Sequence, residues 1–214
     1  MKADFWHNKW ETNQIAFHKS EANPILLDHI SALDLKAGDR VFLPLCGKTL
    51  DISWLLYHGY KVIGAELSEI AVNDLFAQMD LHPIIIDLGQ VKLYSAENID
   101  VFVGDIFEIT PEQIGHVDAI FDRAALVALP DQVRVDYAKH MIVMTQAAKQ
   151  LLITFEYAPE GVSGPPHPIF EDEVSLHYQA HYDIQTLARY DVEDNIKGKS
   201  DVIERVYLLS KSDI

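Results

Sequence analysis

Gly47 and Glu66 carry the first chemical signal. Gly47 sits in Leu43-Pro44-Leu45-Cys46-Gly47-Lys48-Thr49, and Glu66 closes Lys61-Val62-Ile63-Gly64-Ala65-Glu66, 19 positions later. That offset is close to the ~20 residues between a strand-to-helix turn and the acidic residue that holds a ribose in nucleotide-binding α/β proteins. A carboxylate can accept from both ribose hydroxyls, which a neutral side chain does less well. Gly47-Lys48-Thr49 invites a phosphate-cradling reading. That loop needs a glycine five positions before Gly47, however, and Phe42 stands there. The G-x-G-x-x-G fingerprint is missing too, so a nucleoside held here need not carry a pyrophosphate. What remains is a one-glycine turn where backbone can approach a ligand. The plain alternatives are an ordinary turn and a solvated glutamate before a helix cap.

Two further loops hold candidates. At Gly104-Asp105-Ile106-Phe107 an adenine would find a polar group for its amino edge and an apolar side chain for its face, although strands often end in aspartate for structural reasons alone. At Asp122-Arg123 the guanidinium either pairs locally with Asp122 or stabilises an anionic group of a ligand. Phe5, Trp6 and Trp10 share one face of a short N-terminal helix, as core or as cover for a pocket. His177 and His181 have the spacing of metal ligands on a helix, but no third ligand accompanies them, so no metal is expected.

These loops need a scaffold that brings them together. Residues 41–45, 61–67, 99–104, 117–121 and 151–157 read as strands. Helical runs alternate with them at 49–58, from Ser68 as N-cap to 79, from Thr110-Pro111, and from Pro130-Asp131. His82-Pro83 breaks the chain, and 84–87 and 91–94 read as a local insertion. A Pro-rich loop at 159–168 and a short helix precede two strands, 182–190 and 202–209, joined by a polar turn at 193–200. The pattern predicts an α/β fold with helices on both faces of a mostly parallel sheet. Such sheets bind ligands at the carboxyl ends of their strands, where the candidate loops fall.

Composition narrows the partners. The 214 residues hold 17 Lys and Arg against 33 Asp and Glu, a formal net charge of −16, which repels a phosphate backbone and argues against nucleic acid. Cys46 is the only cysteine, which excludes an intrachain disulfide and fits a reducing compartment. No signal-peptide core and no membrane-length apolar run is present, so the expectation is a cytoplasmic, single-domain protein with no membrane partner.

Leu43–Lys48 (LPLCGK), Trp54-Leu55, residues 62–68 (VIGAELS) and 122–130 (DRAALVALP) together resemble thiopurine S-methyltransferase in its shorter bacterial form. The resemblance runs from Phe5-Trp6 through Gly164-Pro165-Pro166 to the terminal strands. It implies a class I, Rossmann-like methyltransferase with a seven-stranded type of sheet, mostly parallel, and an antiparallel strand near one edge. The cofactor it implies is S-adenosylmethionine, released as S-adenosylhomocysteine. It places Trp10, Leu45, Glu66 and Arg123 around the cofactor, Ile106 and Phe107 by the adenine, and Phe17 near the acceptor. The multi-glycine loop commonest in class I is absent; the Pro-Leu-Cys-Gly-Lys form takes its place.

With that resemblance, residues 1–22 read as a flap over a site built on 40–214, and Trp10 and Phe17 as its aromatic cover. Aromatic faces suit a sulfonium cation. Pro165-Pro166 has some likeness to the Pro-Pro-aromatic loop of enzymes that methylate nucleic-acid amines, but Gly164 replaces the amide or acid that holds such an acceptor. A substrate-covering loop fits better. The implied reaction is methylation of an aromatic or heterocyclic thiol, with selenium or tellurium species as further acceptors. Arg123 is the candidate for anion stabilisation and His18 a weaker one for proton removal. The chain is expected to act as a monomer on small molecules. The rivals are a small-molecule O- or N-methyltransferase and a non-catalytic S-adenosylmethionine-binding protein.

Overall fold

The apolar runs become the strands of one nine-stranded sheet in a computed structural model that describes residues 3–15, 18–158, 164–192, 198 and 201–212. Its centre is five parallel strands in the spatial order β5 (Ile99–Val103), β2 (Lys61–Glu66), β1 (Arg40–Pro44), β6 (Ala119–Asp122) and β7 (Lys149–Glu156). β9 (Ile203–Lys211) lies antiparallel against β7 and carries β8 (Tyr182–Asp191) at that edge. The expected antiparallel strand is therefore β9, next to the edge. At the opposite edge β3 (Ile84–Asp87) and β4 (Lys92–Ala96) form a hairpin on β5. The insertion seen between 84 and 94 adds these two strands to the expected seven.

Alternation along each strand divides the core between two helical layers. Phe42 of β1 points to one layer and its neighbours Val41 and Leu43 to the other. The first layer is covered by α5 (Pro111–Ile114), α6 (Asp131–Thr145) and α7 (Glu171–Tyr178), through Ile114, Tyr137, Met141 and Tyr178. The second is covered by α2 (Pro24–His29), α3 (Leu50–Tyr57) and α4 (Glu69–Gln78), through Leu26, Ile52, Leu55 and Leu75. Truncating one of these fully buried side chains to alanine would cost about 2–5 kcal/mol.

The helices begin where their caps dictate. Ser68 Oγ accepts from the Ala71 N–H at the start of α4, and Thr110 and Gln113 form a reciprocal capping box with Pro111 at the first turn of α5. Thr49 caps α3 and Asn23 caps α2. The first helix, α1 (Ala3–Glu11), stands apart: only Trp10 among its residues is buried. No helix among the described residues is long and apolar enough to cross a membrane.

Candidate active site

The carboxyl ends of β2, β1 and β6, three adjacent strands, open into a cleft of about 1140 Å³. Turning the chain out of β1 and β6 requires unusual backbone. Leu45, just past β1, has φ +47°, and Ala124, just past β6, has φ +65°. Left-handed conformations cost a residue with a Cβ roughly 1–2 kcal/mol, and such strain collects where a loop must present a ligand surface. Both residues line the cleft.

Gly47 explains why the turn after β1 carries a glycine. It has φ +54°, and a Cβ on it would come within 3.0 Å of the Trp10 ring. The indole thus lies directly on the backbone of the turn, and Lys48 Nζ sits 5.9 Å from its centroid. Lys48 also pairs with Asp74 at 2.8 Å. Cys46, in the same turn, is buried, and its thiol pKa is pushed well up by burial and by Glu66. It is a packing residue, not a nucleophile.

Glu66 ends β2 with a carboxylate that is 6% exposed. Gly47 N–H donates to Oε2 and Ser68 N–H to Oε1, each at 2.8 Å. The offset of Gly47 and Glu66 is therefore a direct contact. One carboxylate ties the β1 turn to the α4 N-terminus and keeps lone pairs for a ligand. Burial raises its pKa, and the backbone N–H groups of Ser68 and Gly47 oppose the rise.

Asp122 and Arg123 part company. Asp122 is fully buried, accepting from Tyr137 Oη at 2.8 Å and Leu126 N–H at 3.1 Å. Burial raises its pKa to about 6. Arg123 is half-buried and lines the cleft, and among the described residues it makes no hydrogen bond or ion pair. The local pair that the sequence allowed is absent because Asp122 is the last strand residue and Arg123 follows it. Successive side chains there point to opposite sides.

The opposite wall comes from the N-terminal segment, through Phe5, Trp6, Lys9, Trp10 and His18. Burial and the nearby charges of Lys48 and Arg123 lower the His18 pKa, so this imidazole is neutral at pH 7. Phe17, expected near the acceptor, lies outside the described residues. Of the loop 159–168, residues 159–163 do too, while Pro165 and Pro166 line the cleft and His167 N–H holds the loop to the Val127 carbonyl at 2.6 Å.

Trp10, Leu45, Glu66 and Arg123 are thus gathered around one space, which does not reach Ile106 or Phe107. Ile106 is 3% exposed and belongs to the core, and Phe107 packs against the His140 ring, 5.5 Å away. Their loop nevertheless adjoins the site, because Gly104 N–H donates to the Glu66 carbonyl at 2.9 Å. His177 is engaged with Glu173 at 3.2 Å, in a cluster where Glu173 also holds Arg134. His181 is exposed in the turn after α7. Sequence reasoning passed over two cleft residues. Asp51 is 2% exposed and accepts from Asn23 N–H at 2.6 Å, which ties the N-terminal segment to α3. Glu204 faces the cleft from β9. An acid beside a capping threonine was a visible signal for Asp51; Glu204 had none beyond its strand.

The chain resembles known proteins in sequence and in fold. Residues 1–212 match the family Thiopurine S-methyltransferase (TPMT). The chain is 49% identical over 212 residues to the thiopurine S-methyltransferase of Teredinibacter turnerae, covering 99% of both chains. It is 45% identical to that of Xanthobacter autotrophicus over 213 residues, covering 99% of this chain and 100% of the relative. Among solved structures, the 1,6-didemethyltoxoflavin-N1-methyltransferase of Burkholderia thailandensis, with bound S-adenosylhomocysteine, superposes with a TM-score of 0.66 at 15% identity, covering 99% of this chain and 87% of that one. A SAM-dependent methyltransferase from Anabaena variabilis gives 0.65 at 14% identity, over 98% and 95%. These likenesses make the fold that of the Rossmann-like class I methyltransferases, and the sequence identity makes this chain a member of the thiopurine S-methyltransferase family.

Proposed function

We propose that this protein transfers the methyl group of S-adenosylmethionine to the sulfur of a small aromatic or heterocyclic thiol. The observation that carries the reading is one cleft faced by a buried acid, Glu66 at the end of β2, and by Arg123 after β6, a guanidinium unpaired among the described residues, with β1 between them. Adjacent strands lie about 4.8 Å apart, so roughly 10 Å separates the two strand ends. That span suits a nucleoside whose ribose meets Glu66 and whose amino-acid end reaches toward Arg123.

The residues present fit this cofactor. Glu66 would accept from the ribose hydroxyls, the Gly47 turn would let backbone approach without a phosphate loop, and Trp10 and Leu45 would close the apolar sides. The loop before Ile106 and Phe107 adjoins Glu66 through the Gly104 N–H and would hold the adenine edge. When bound, the cofactor supplies a methyl group activated on a sulfonium.

The chain contributes alignment, exclusion of water and stabilisation of the acceptor's negative sulfur, which together suffice for an in-line displacement. Arg123 is the catalytic residue in this reading, and it holds the thiolate or the cofactor carboxylate. His18, neutral at pH 7, is available to take a proton from thiols that bind un-ionised. α1 covers the acceptor, a small molecule rather than nucleic acid or membrane. Selenium and tellurium species belong to the same soft class, and the protein works as a cytoplasmic monomer. Mass spectrometry of products from purified protein, S-adenosylmethionine and 6-mercaptopurine or selenite tests the reading. A methylated thiol is expected; methylation of oxygen or nitrogen acceptors only, or cofactor binding without turnover, would replace it.

A further inference from the structure

Glu204 is a further carboxylate in the cleft, and the reaction as described does not use it. It is the second residue of β9, opposite Phe155 of β7 and Tyr190 of β8, and it lines the cleft together with Arg123. Its neighbour Arg205 turns to the other face of the strand, where it pairs with Glu156 at 2.9 Å and also binds Glu171. Glu204 has no such partner: among the described residues its side chain makes no hydrogen bond and no ion pair. Burial raises its pKa, and the charges of Arg123 and Lys19 act in the opposite direction. Tyr190, opposite Glu204 on β8, is engaged elsewhere through a 2.9 Å hydrogen bond with His29.

Two opposite charges therefore face one space without touching, and among the described residues neither makes a hydrogen bond or ion pair. A half-buried carboxylate in that position favours a ligand that donates to it. An anion at Arg123 and a donor at Glu204 describe one kind of molecule: a thiolate whose ring retains an N–H. We infer that Glu204 recognises the acceptor, taking a hydrogen bond from the ring N–H of an azaheterocyclic thiol whose sulfur faces Arg123. The inference rests on the thiol-methylation reading and adds the residue that reads the acceptor's ring. Glu204 then selects nitrogen heterocycles over thiols of the same shape that have no ring donor.

The test compares 2-mercaptobenzimidazole, whose anion keeps one N–H, with 2-mercaptobenzothiazole, in which sulfur replaces it. Dissociation constants are measured by calorimetry on protein saturated with S-adenosylhomocysteine, and kcat/KM by product formation, for wild type, Glu204→Gln and Glu204→Leu. Glu204→Leu should weaken binding and turnover of the benzimidazole about tenfold, while the benzothiazole changes less than twofold. Glu204→Gln, which keeps an acceptor without the charge, should fall between. S-adenosylmethionine affinity and the thermal midpoint should not move. An equal loss for both thiols, or no loss for either, would overturn the inference and leave thiol methylation standing. Methylation of neither thiol by the wild-type protein would overturn both.

Discussion

The β2 side and the β6 side of the cleft each present a charged residue at a strand end, yet they are built on opposite plans. Glu66 is tied at both oxygens to backbone N–H groups, is nearly inaccessible, and holds two loops together. Arg123 and Glu204 are tied to nothing among the described residues and meet only through space. The first arrangement is preorganised for a ligand that never changes. The second leaves its charges unsatisfied until an acceptor arrives, which suits a site that takes soft nucleophiles of varied shape. Glu66 also ties two loops of the fold together, whereas Arg123 holds no other described residue by a hydrogen bond or ion pair. Substitutions on the two sides should therefore separate stability from activity.

The largest effect is expected at Arg123. Removing a preorganised charge that stabilises a developing or bound anion typically lowers rates 10²–10³-fold, about 3–4 kcal/mol. Arg123→Ala should lose that much kcat/KM with an unchanged thermal midpoint, since no structural bond is broken. Arg123→Lys keeps the charge but not the planar multi-donor fork, so rescue should be partial. A thiolate role predicts the greatest loss for thiols of high pKa. A cofactor role predicts a raised S-adenosylmethionine KM for every acceptor alike. Wild-type kinetics in both variants would remove Arg123 from the reaction.

Glu66→Ala should behave differently, with losses on both axes. Cofactor affinity should fall by about 1.5–3 kcal/mol, the scale of hydrogen bonds to a charged group. Stability should fall as well, because the Gly47 and Ser68 N–H groups lose their acceptor. Titration calorimetry and denaturant unfolding measure the two. A loss of affinity with no loss of stability would show that the β2 side is no more tied than the β6 side.

These contrasts were only half visible in the chain. Strand and helix alternation, the caps at Ser68 and Thr110, and the Gly47–Glu66 offset were legible because each depends on residues close in sequence or on a fixed βαβ spacing. A local pair with Asp122 was one of the two readings left open for Arg123, and the structure removes it. The alternation rule argues against that pair once the strand is known to run through Asp122, one residue beyond the predicted end. Its real partner, Tyr137, lies 15 residues on, across the interface between sheet and α6. Glu204 was illegible for a similar reason: its position in the cleft depends on the antiparallel register of β9 against β7, which no local pattern encodes. Nor does anything in the sequence mark Leu45 and Ala124 as left-handed.

Asp122 offers a third test, beneath Arg123 but outside the cleft. Its pKa rises from 3.8 to about 6 on folding, so the native state holds a proton more tightly than the unfolded chain. The stability this contributes is full below about pH 4 and is lost as pH rises through 6. A shift of about 2 units corresponds to roughly 3 kcal/mol. The difference in unfolding free energy between wild type and Asp122→Asn should therefore move by 2–3 kcal/mol between pH 4 and pH 7, with wild type relatively favoured at pH 4. A flat difference would mean that Asp122 ionises as readily in the folded protein as in the unfolded one.

The smallest effect concerns the wall that faces both sides. The nine residues of α1 are too few for a helix to persist alone, and only Trp10 is buried, against Gly47. Phe5, Trp6 and Lys9 line the cleft, so filling it adds contacts to the helix. If α1 covers a site that must exclude water, closure should be coupled to occupancy. Hydrogen exchange of the α1 amides should slow on addition of S-adenosylhomocysteine, by roughly tenfold for ~1.4 kcal/mol of added local stability. The amides of β1 and β2 should slow much less, because their protection follows global unfolding rather than local opening. Adding an acceptor thiol should slow α1 further, and Glu204→Leu should remove that second increment while leaving the first. Equal α1 exchange with and without ligand would make the helix a static part of the fold, and the contrast between tied and untied regions would then end at the cleft's floor.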